Sequence, residues 1–114
     1  MHSAGSLDLT LAALSDPTRR AILARLASGE ATVSELAEPL PISQPAVSRH
    51  IRVLTGAGLV VQRVDGTRRP CRLAPDGLSE LDSYLQTLRT ALEHNYGRLD
   101  RLLAQRRTRK GNPT

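Results

Sequence analysis

Residues 32–57 read TVSELAEPLPISQPAVSRHIRVLTGA, and the fold turns on this stretch. Thr32 stands three residues before Glu35, the spacing of a capping box, in which a hydroxyl and a carboxylate satisfy the free amides of a helix start reciprocally. Pro39 and Pro41 stop that helix, because a proline ring clashes with the preceding turn and donates no hydrogen bond. Ile42 leads to Ser43, a second N-cap, and Pro45 falls in the first turn, where its missing N–H is not needed. Val47, Ile51 and Leu54 then recur at helical spacing to about Ala57, and Gly56 and Gly58 end the run. Two short helices joined by a tight turn, packed through Leu36, Leu40, Val47, Ile51 and Leu54, make a helix-turn-helix. That packing turns Gln44, Ser48, Arg49 and Arg52 outward on the second helix.

Working outward, Leu7, Leu11 and Leu14 predict a short first helix behind a frayed stretch, residues 1–6. Asp16-Pro17 predicts the N-cap and first residue of a second helix, which carries Ile22, Leu23 and Leu26 inward and ends near Gly29. Downstream, Asp65-Gly66 lies between the β-prone runs LVVQRV and TRRPCRL, a strong hairpin signal. With Asp65 and Gly66 as the loop, Arg63 faces Arg68, Val60 and Cys71 share the other face, and Pro70 marks an edge or a bulge. From Gly77 to about Gln105 the chain reads as one long amphipathic helix, and residues 106–114, RRTRKGNPT, as a basic disordered tail. The expected architecture is mainly α with a small β-hairpin, a winged helix-turn-helix domain over residues 7–105.

The 114 residues give room for one core. Sixteen Lys and Arg against eleven Asp and Glu leave a net charge of +5, which favours a polyanion, either nucleic acid or an anionic membrane surface. No apolar run reaches the roughly 18 residues of a membrane span, and the first residues lack a basic-then-apolar leader pattern. No membrane partner and a cytoplasmic location are expected. The chain has no Phe or Trp and only Tyr84 and Tyr96. Stacking on single strands is therefore poorly supplied, and the polyanion reading moves towards duplex DNA. The single cysteine, Cys71, excludes an internal disulfide and suits a reducing cytosol. Its place on a hairpin strand reads as a small buried hydrophobe rather than a redox switch. An enzyme is not expected: Ser48 and His50 are two apart on a helix and point in different directions, and no glycine-rich phosphate loop or paired-carboxylate site is present.

Arg pairs with guanine O6 and N7, Gln with adenine N6 and N7, and Ser with phosphate or base, so the outward face of the second helix suits a major groove. A solvated surface face is the plain alternative. The basic hairpin next to it, with Arg63, Arg68 and Arg69 around Gly66 and Thr67, tips the balance to DNA. Like charges opposed across a hairpin need a counter-charge, and a phosphate backbone supplies one. On the last helix Leu78, Leu85, Leu92 and Leu99 fall seven apart, with Leu81, Leu88, Asn95 and Leu102 as the second seam. Such a stripe needs a partner helix, so a homodimer is expected, completed by Leu7, Leu11 and Leu14, with Asn95 setting the register. The alternative is packing of this helix on its own domain. His2, His50 and His94 are the imidazoles available to a metal. His94, with Glu93 and His2, is the residual set for a weak nickel or zinc site, although a solvated His94 outweighs it; no cofactor is required.

Three motifs carry a resemblance: LSDPTRRAIL, SQPAVSRHIRVLTGAGLV and RVDGTRRPCRL. Over about residues 9–78 the chain resembles the ArsR/SmtB family of bacterial winged-helix regulators, with a compatible last helix. The resemblance implies a dimeric, cytoplasmic winged helix that binds an imperfect palindrome in a promoter, represses in most members and is released by an effector. By position, Ser43, Gln44, Pro45, Ser48, Arg49, His50 and Arg52 match the family's recognition helix, and Gly66, Arg68 and Arg69 its wing. The chain departs from the metal-binding members. The third helix, VSELAEPL, has no Cys-x-Cys pair; Asp82 is followed two residues on by Tyr84 rather than His, and His94 three on by Gly97. Pro41 stands in a turn where the family often has glycine. The expected function is a double-stranded DNA-binding transcription regulator, most simply a repressor. The competing readings are an activator or partner-controlled regulator of the same fold, a winged-helix protein-interaction module without DNA binding, and a non-specific basic architectural protein.

Overall fold

A computed structural model describes the backbone of residues 3–111 and the side chains of residues 6–105. The elements run α1 (Ser3–Leu14), α2 (Pro17–Leu26), α3 (Val33–Ala37), α4 (Gln44–Gly56), β1 (Val60–Gln62), β2 (Cys71–Leu73) and α5 (Ser79–Gly111). The chain forms two compact units, Met1–Leu81 and Asp82–Thr114.

The capping signals are met atom for atom. Asp16 accepts from the Arg19 amide at 2.9 Å with Pro17 in the first turn of α2. Thr32 and Glu35 form both halves of the capping box of α3, with the Glu35 carboxylate 2.8 Å from the Thr32 amide. Ser43 accepts from the Ala46 amide at 3.3 Å to start α4. At the other end of α4, Gly58 takes φ +78°, and the amides of Gly58 and Leu59 return to the carbonyls of Thr55 and Leu54. This is a Schellman stop, with Leu54 and Leu59 both buried in the core.

The core is aliphatic. Ala13, Ile22, Leu26, Leu36, Val47, Ile51, Leu54, Leu59, Val60 and Cys71 are all buried in one cluster, with Leu14, Leu23, Val33, Leu40 and Ile42 packed on its rim. α1 enters the core through Thr10 and Ala13, with Leu14 packed on the rim; Leu11 is 42% exposed. Arg19 and Arg20 tie down the end of α1. Arg19 donates to the carbonyls of Ala13 (2.7 Å) and Ala12 (3.2 Å), and Arg20 to that of Leu14 (2.8 Å). Cations on the last carbonyls of a helix also oppose its dipole.

Boundaries differ from expectation in three places. α1 begins at Ser3, so residues 3–6 of the stretch expected to be frayed are helical: no proline interrupts them, and each added residue of a started helix contributes a hydrogen bond. α5 begins at Ser79 rather than Gly77, because Gly77 sits in a tight turn against the end of α4, where a Cβ would come 2.6 Å from the Gly58 carbonyl oxygen. The same helix runs past Gln105 to Gly111, into the stretch expected as a basic tail. The Arg, Lys and Thr run of residues 106–110 holds no proline to interrupt the helix.

β1 and β2 pair antiparallel, Val60 with Leu73, Val61 with Arg72 and Gln62 with Cys71. On its other side β2 meets Ala31, which exchanges both backbone hydrogen bonds with Cys71, at 2.8 and 3.1 Å. The hairpin strand expected at an edge is therefore paired on both sides at Cys71. Pro70, just before it, gives its carbonyl to the Arg63 amide and has no N–H to leave unpaired.

Candidate nucleic-acid interface

Burial of Val47, Ile51 and Leu54 under α4 decides which of its side chains meet solvent. Gln44, Pro45, Arg49 and Arg52 are exposed, as is the cap Ser43, and Ser48 is half-buried. Gln44 is lightly held by α3, its amide donating to the Ser34 hydroxyl at 3.1 Å. Among the described residues neither Arg49 nor Arg52 takes part in an ion pair.

His50 does not join this face. It lies between α4 and the start of α2, with Nδ1 3.2 Å from an Arg19 guanidinium nitrogen and 4.0 Å from the Asp16 carboxylate. A guanidinium only donates, so Nδ1 is the acceptor. Position 50 comes three residues after the buried Val47, and that angle on the helix directs it to α2 rather than to a groove. Asp16 is held below the ordinary carboxylate range, first by the Arg19 amide it accepts from.

The hairpin register differs from the expected one by two residues. Asp65 pairs with Arg68, leaving Gly66 and Thr67 as the loop. Gly66 takes φ +66° and no other described residue of the loop has positive φ, the pattern of a type II′ turn. Arg63 therefore lies opposite Pro70 and not opposite Arg68. Its counter-charge is internal: two guanidinium nitrogens meet the two oxygens of Glu30 at 3.0 and 2.9 Å. That fork drives Glu30 below its ordinary value and Arg63 above its own. With the Ala31 bridge, it fastens the wing to the α2–α3 linker. The expected phosphate role of Arg63 is displaced by this anchoring one.

Arg68 and Arg69 are exposed at the wing tip. Arg68 is 3.9 Å from Glu35, a loose pair between two exposed groups. Arg69 donates to the carbonyls of Gly66 (3.1 Å) and Arg68 (2.9 Å), which braces the turn. Cys71 is buried, and burial raises its thiol pKa, so it stays a neutral small hydrophobe as expected.

Two polar clefts border the hairpin. One, of about 210 Å³, lies towards α3 and is lined by Glu30, Thr32, Glu35, Arg63, Asp65 and Arg68. The other, of about 180 Å³, lies towards α4 and is lined by Ser48, Ile51, Arg52, Thr55 and Gln62. Thr55 and Gln62 were absent from the sequence-derived site. Thr55 could have been found, since it lies seven residues after Ser48 on the same helical face. Gln62 could not, because only the hairpin's placement brings it there.

The seam residues of α5 are bare. Leu85, Leu88, Leu92 and Leu99 are exposed, Asn95 is exposed, and Leu81 is half-buried. Leu11 is exposed on α1, while Leu7 and Leu14 are half-buried. His2 lies outside the described residues. Glu93 and His94 are exposed neighbours on α5, and adjacent helical residues do not face a common point. Among the described residues no three His, Cys, Asp or Glu side chains converge to hold a metal ion. Among the described residues, Glu93 and His94 by themselves do not form the expected nickel or zinc site. No described helix is long and apolar enough to cross a membrane.

A family model described as a helix-turn-helix domain matches residues 14–63. An HTH-type transcriptional regulator of Mycobacterium tuberculosis is 46% identical over 99 residues, covering 87% of this chain and 92% of that one. The HTH-type transcriptional repressor SmtB of Mycobacterium tuberculosis is 36% identical over 81 residues, covering 71% of this chain and 58% of that one. The chain belongs to the ArsR/SmtB family of winged helix-turn-helix transcription regulators. An ArsR-like regulator from Rhodococcus superposes with a TM-score of 0.75 at 26% identity, covering 92% of this chain and 98% of that one. A homodimeric winged helix-turn-helix domain from Mycobacterium bovis superposes with a TM-score of 0.63 at 29% identity, covering 80% and 85%. As an ArsR/SmtB protein the chain is a DNA-binding transcription regulator and not an enzyme.

Proposed function

We propose that the chain works in the cytoplasm as a homodimeric repressor that binds an imperfect palindrome in duplex DNA. Gln44 and Arg49 read base edges, Ser48 lies where base edge and phosphate meet, Ser43 and Pro45 shape the entry of α4, and Arg52, Arg68 and Arg69 meet phosphates, with Gly66 and Thr67 bringing the tip close. The observation that carries this reading is the pair of exposed arginines on α4, free of ion pairs among the described residues, on a helix whose other side is locked into the core. The bare leucines of α5 and Leu11 of α1 favour a second copy, because an exposed apolar stripe of this length is sticky in a monomer. The homodimeric state of the M. bovis relative supports the same assembly. A two-fold dimer sets two recognition helices about 34 Å apart, one turn of duplex. Repression rather than activation rests on relatives such as the arsenical resistance operon repressor of Staphylococcus xylosus, 33% identical over 75% of this chain and 82% of that one.

The experiment is selection of a duplex from a random pool by the full chain, followed by titration against random duplex at two salt concentrations. Specific binding gives a preference of at least ~10³-fold. A salt-dependent affinity with no preference would make the chain an architectural protein. No binding to either duplex would leave a protein-interaction module.

A further inference from the structure

We infer that the cleft between α4 and β1 seats one backbone phosphate of the duplex, on the ridge that borders the groove entered by α4 and passes between that helix and the wing. The inference rests on the DNA-binding reading above and names partners that neither the family resemblance nor the relatives assign, Thr55 and Gln62.

The cleft is floored by buried Ile51 and walled by Ser48, Arg52, Thr55 and Gln62. At about 180 Å³ it falls below the roughly 300–1,000 Å³ of pockets for drug-sized molecules and has room for a tetrahedral anion with its waters. Its donors are two hydroxyls, one guanidinium and one carboxamide, and no acidic side chain lines it. The hydroxyls of Ser48 and Thr55 make no side-chain hydrogen bond among the described residues, and Arg52 makes no ion pair. Among the described residues the Gln62 amide donates only to the thiol of Cys71, at 3.3 Å. Sulfur is a weak acceptor, so one N–H remains for an oxyanion. The cleft's place matters as much as its chemistry. In the reading above α4 enters the major groove and the wing tip meets phosphates beside it, so the sugar–phosphate ridge that borders the groove passes between the two elements. Ser48, Arg52 and Thr55 come from the helix and Gln62 from the first wing strand, one wall from each.

The test uses the duplex selected by the full-length wild-type chain, with phosphates replaced one at a time by uncharged methylphosphonate. One position should weaken the wild type about tenfold, the size expected for loss of a hydrogen bond to a charged group. Thr55→Val and Gln62→Leu should each weaken the unmodified duplex by about fivefold to tenfold, on selected and random sequence alike. Against the duplex neutralised at that position, both variants should bind as the wild type does. Additive losses at every position, or variants that bind unmodified duplex as tightly as wild type, would overturn the seat and leave the DNA reading intact. A wild type that binds no duplex would overturn both.

Discussion

The two clefts beside the wing have similar volumes and opposite electrostatics. The cleft towards α3 holds three carboxylates, Glu30, Glu35 and Asp65, against two guanidiniums, Arg63 and Arg68. The cleft towards α4 holds one guanidinium, two hydroxyls and a carboxamide, with no carboxylate. Charges on the first flank are answered inside the chain, Arg63 by Glu30 at 2.9 Å and Arg68, loosely, by Glu35 at 3.9 Å. Charge on the second flank is left for something outside. Basic residues close together in sequence thus do different work. Arg63 holds the wing in place, whereas Arg52 is available to a ligand, and a net charge of +5 overstates the charge free for DNA.

The largest expected effect removes what both flanks stand on. Ile51 is buried under α4 and floors the α4 cleft. Ile51→Ala should cost about 2–5 kcal/mol of folding stability, read by urea unfolding. Next, Arg49→Ala should cost about 1–3 kcal/mol on the selected duplex and relax one base preference, read by titration against duplexes altered one pair at a time. An unchanged preference would remove Arg49 from the reading face.

Smaller effects divide the flanks. Arg52→Gln should flatten the dependence of log affinity on log salt by about one. Arg63→Gln should leave that slope as it is and instead speed hydrogen exchange at the Ala31 and Cys71 amides, as Glu30→Gln should, with the double variant no worse than either. A drop in salt slope for Arg63→Gln would return that residue to the phosphate contacts and erase the contrast. Glu35→Gln keeps a side chain competent for the capping box while removing the charge beside Arg68, so it should tighten duplex binding modestly and uniformly.

The smallest effect is one of pH. Hydrogen bonding and charge hold Glu30 and Glu35 below their ordinary value of 4.5 when the chain is folded. Groups lowered in this way contribute stability that is present above the ordinary value and lost as pH falls through the lowered ones. The unfolding midpoint should decline slightly with acidification below 4.5, and Glu30→Gln together with Glu35→Gln should make that decline shallower.

The sequence by itself determined the elements and those ends that carry a cap, the starts of α2, α3 and α4 and the end of α4. Asp16 before Pro17, Thr32 three residues before Glu35, Ser43 before Pro45, and Gly58 after Ala57 each act through atoms within one or two helical turns, so their effect is written locally. Val47, Ile51 and Leu54 likewise declared which side of α4 would be buried, and with it the exposure of Arg49 and Arg52. Only the tertiary structure decided which charges are already taken and which polar groups share a cleft. Arg63 meets Glu30 across 33 positions, and Arg19 meets His50 across 31. Gln62 reaches the wall beside Ser48 through the placement of the hairpin. The placements of Arg63 and Gln62 depend on a turn that closes at Gly66 and Thr67 rather than at Asp65 and Gly66, and on Ala31 joining β2. A two-residue change of register leaves the alternation of faces unaltered, so no periodicity in the chain could reveal it, yet it changes every cross-strand partner.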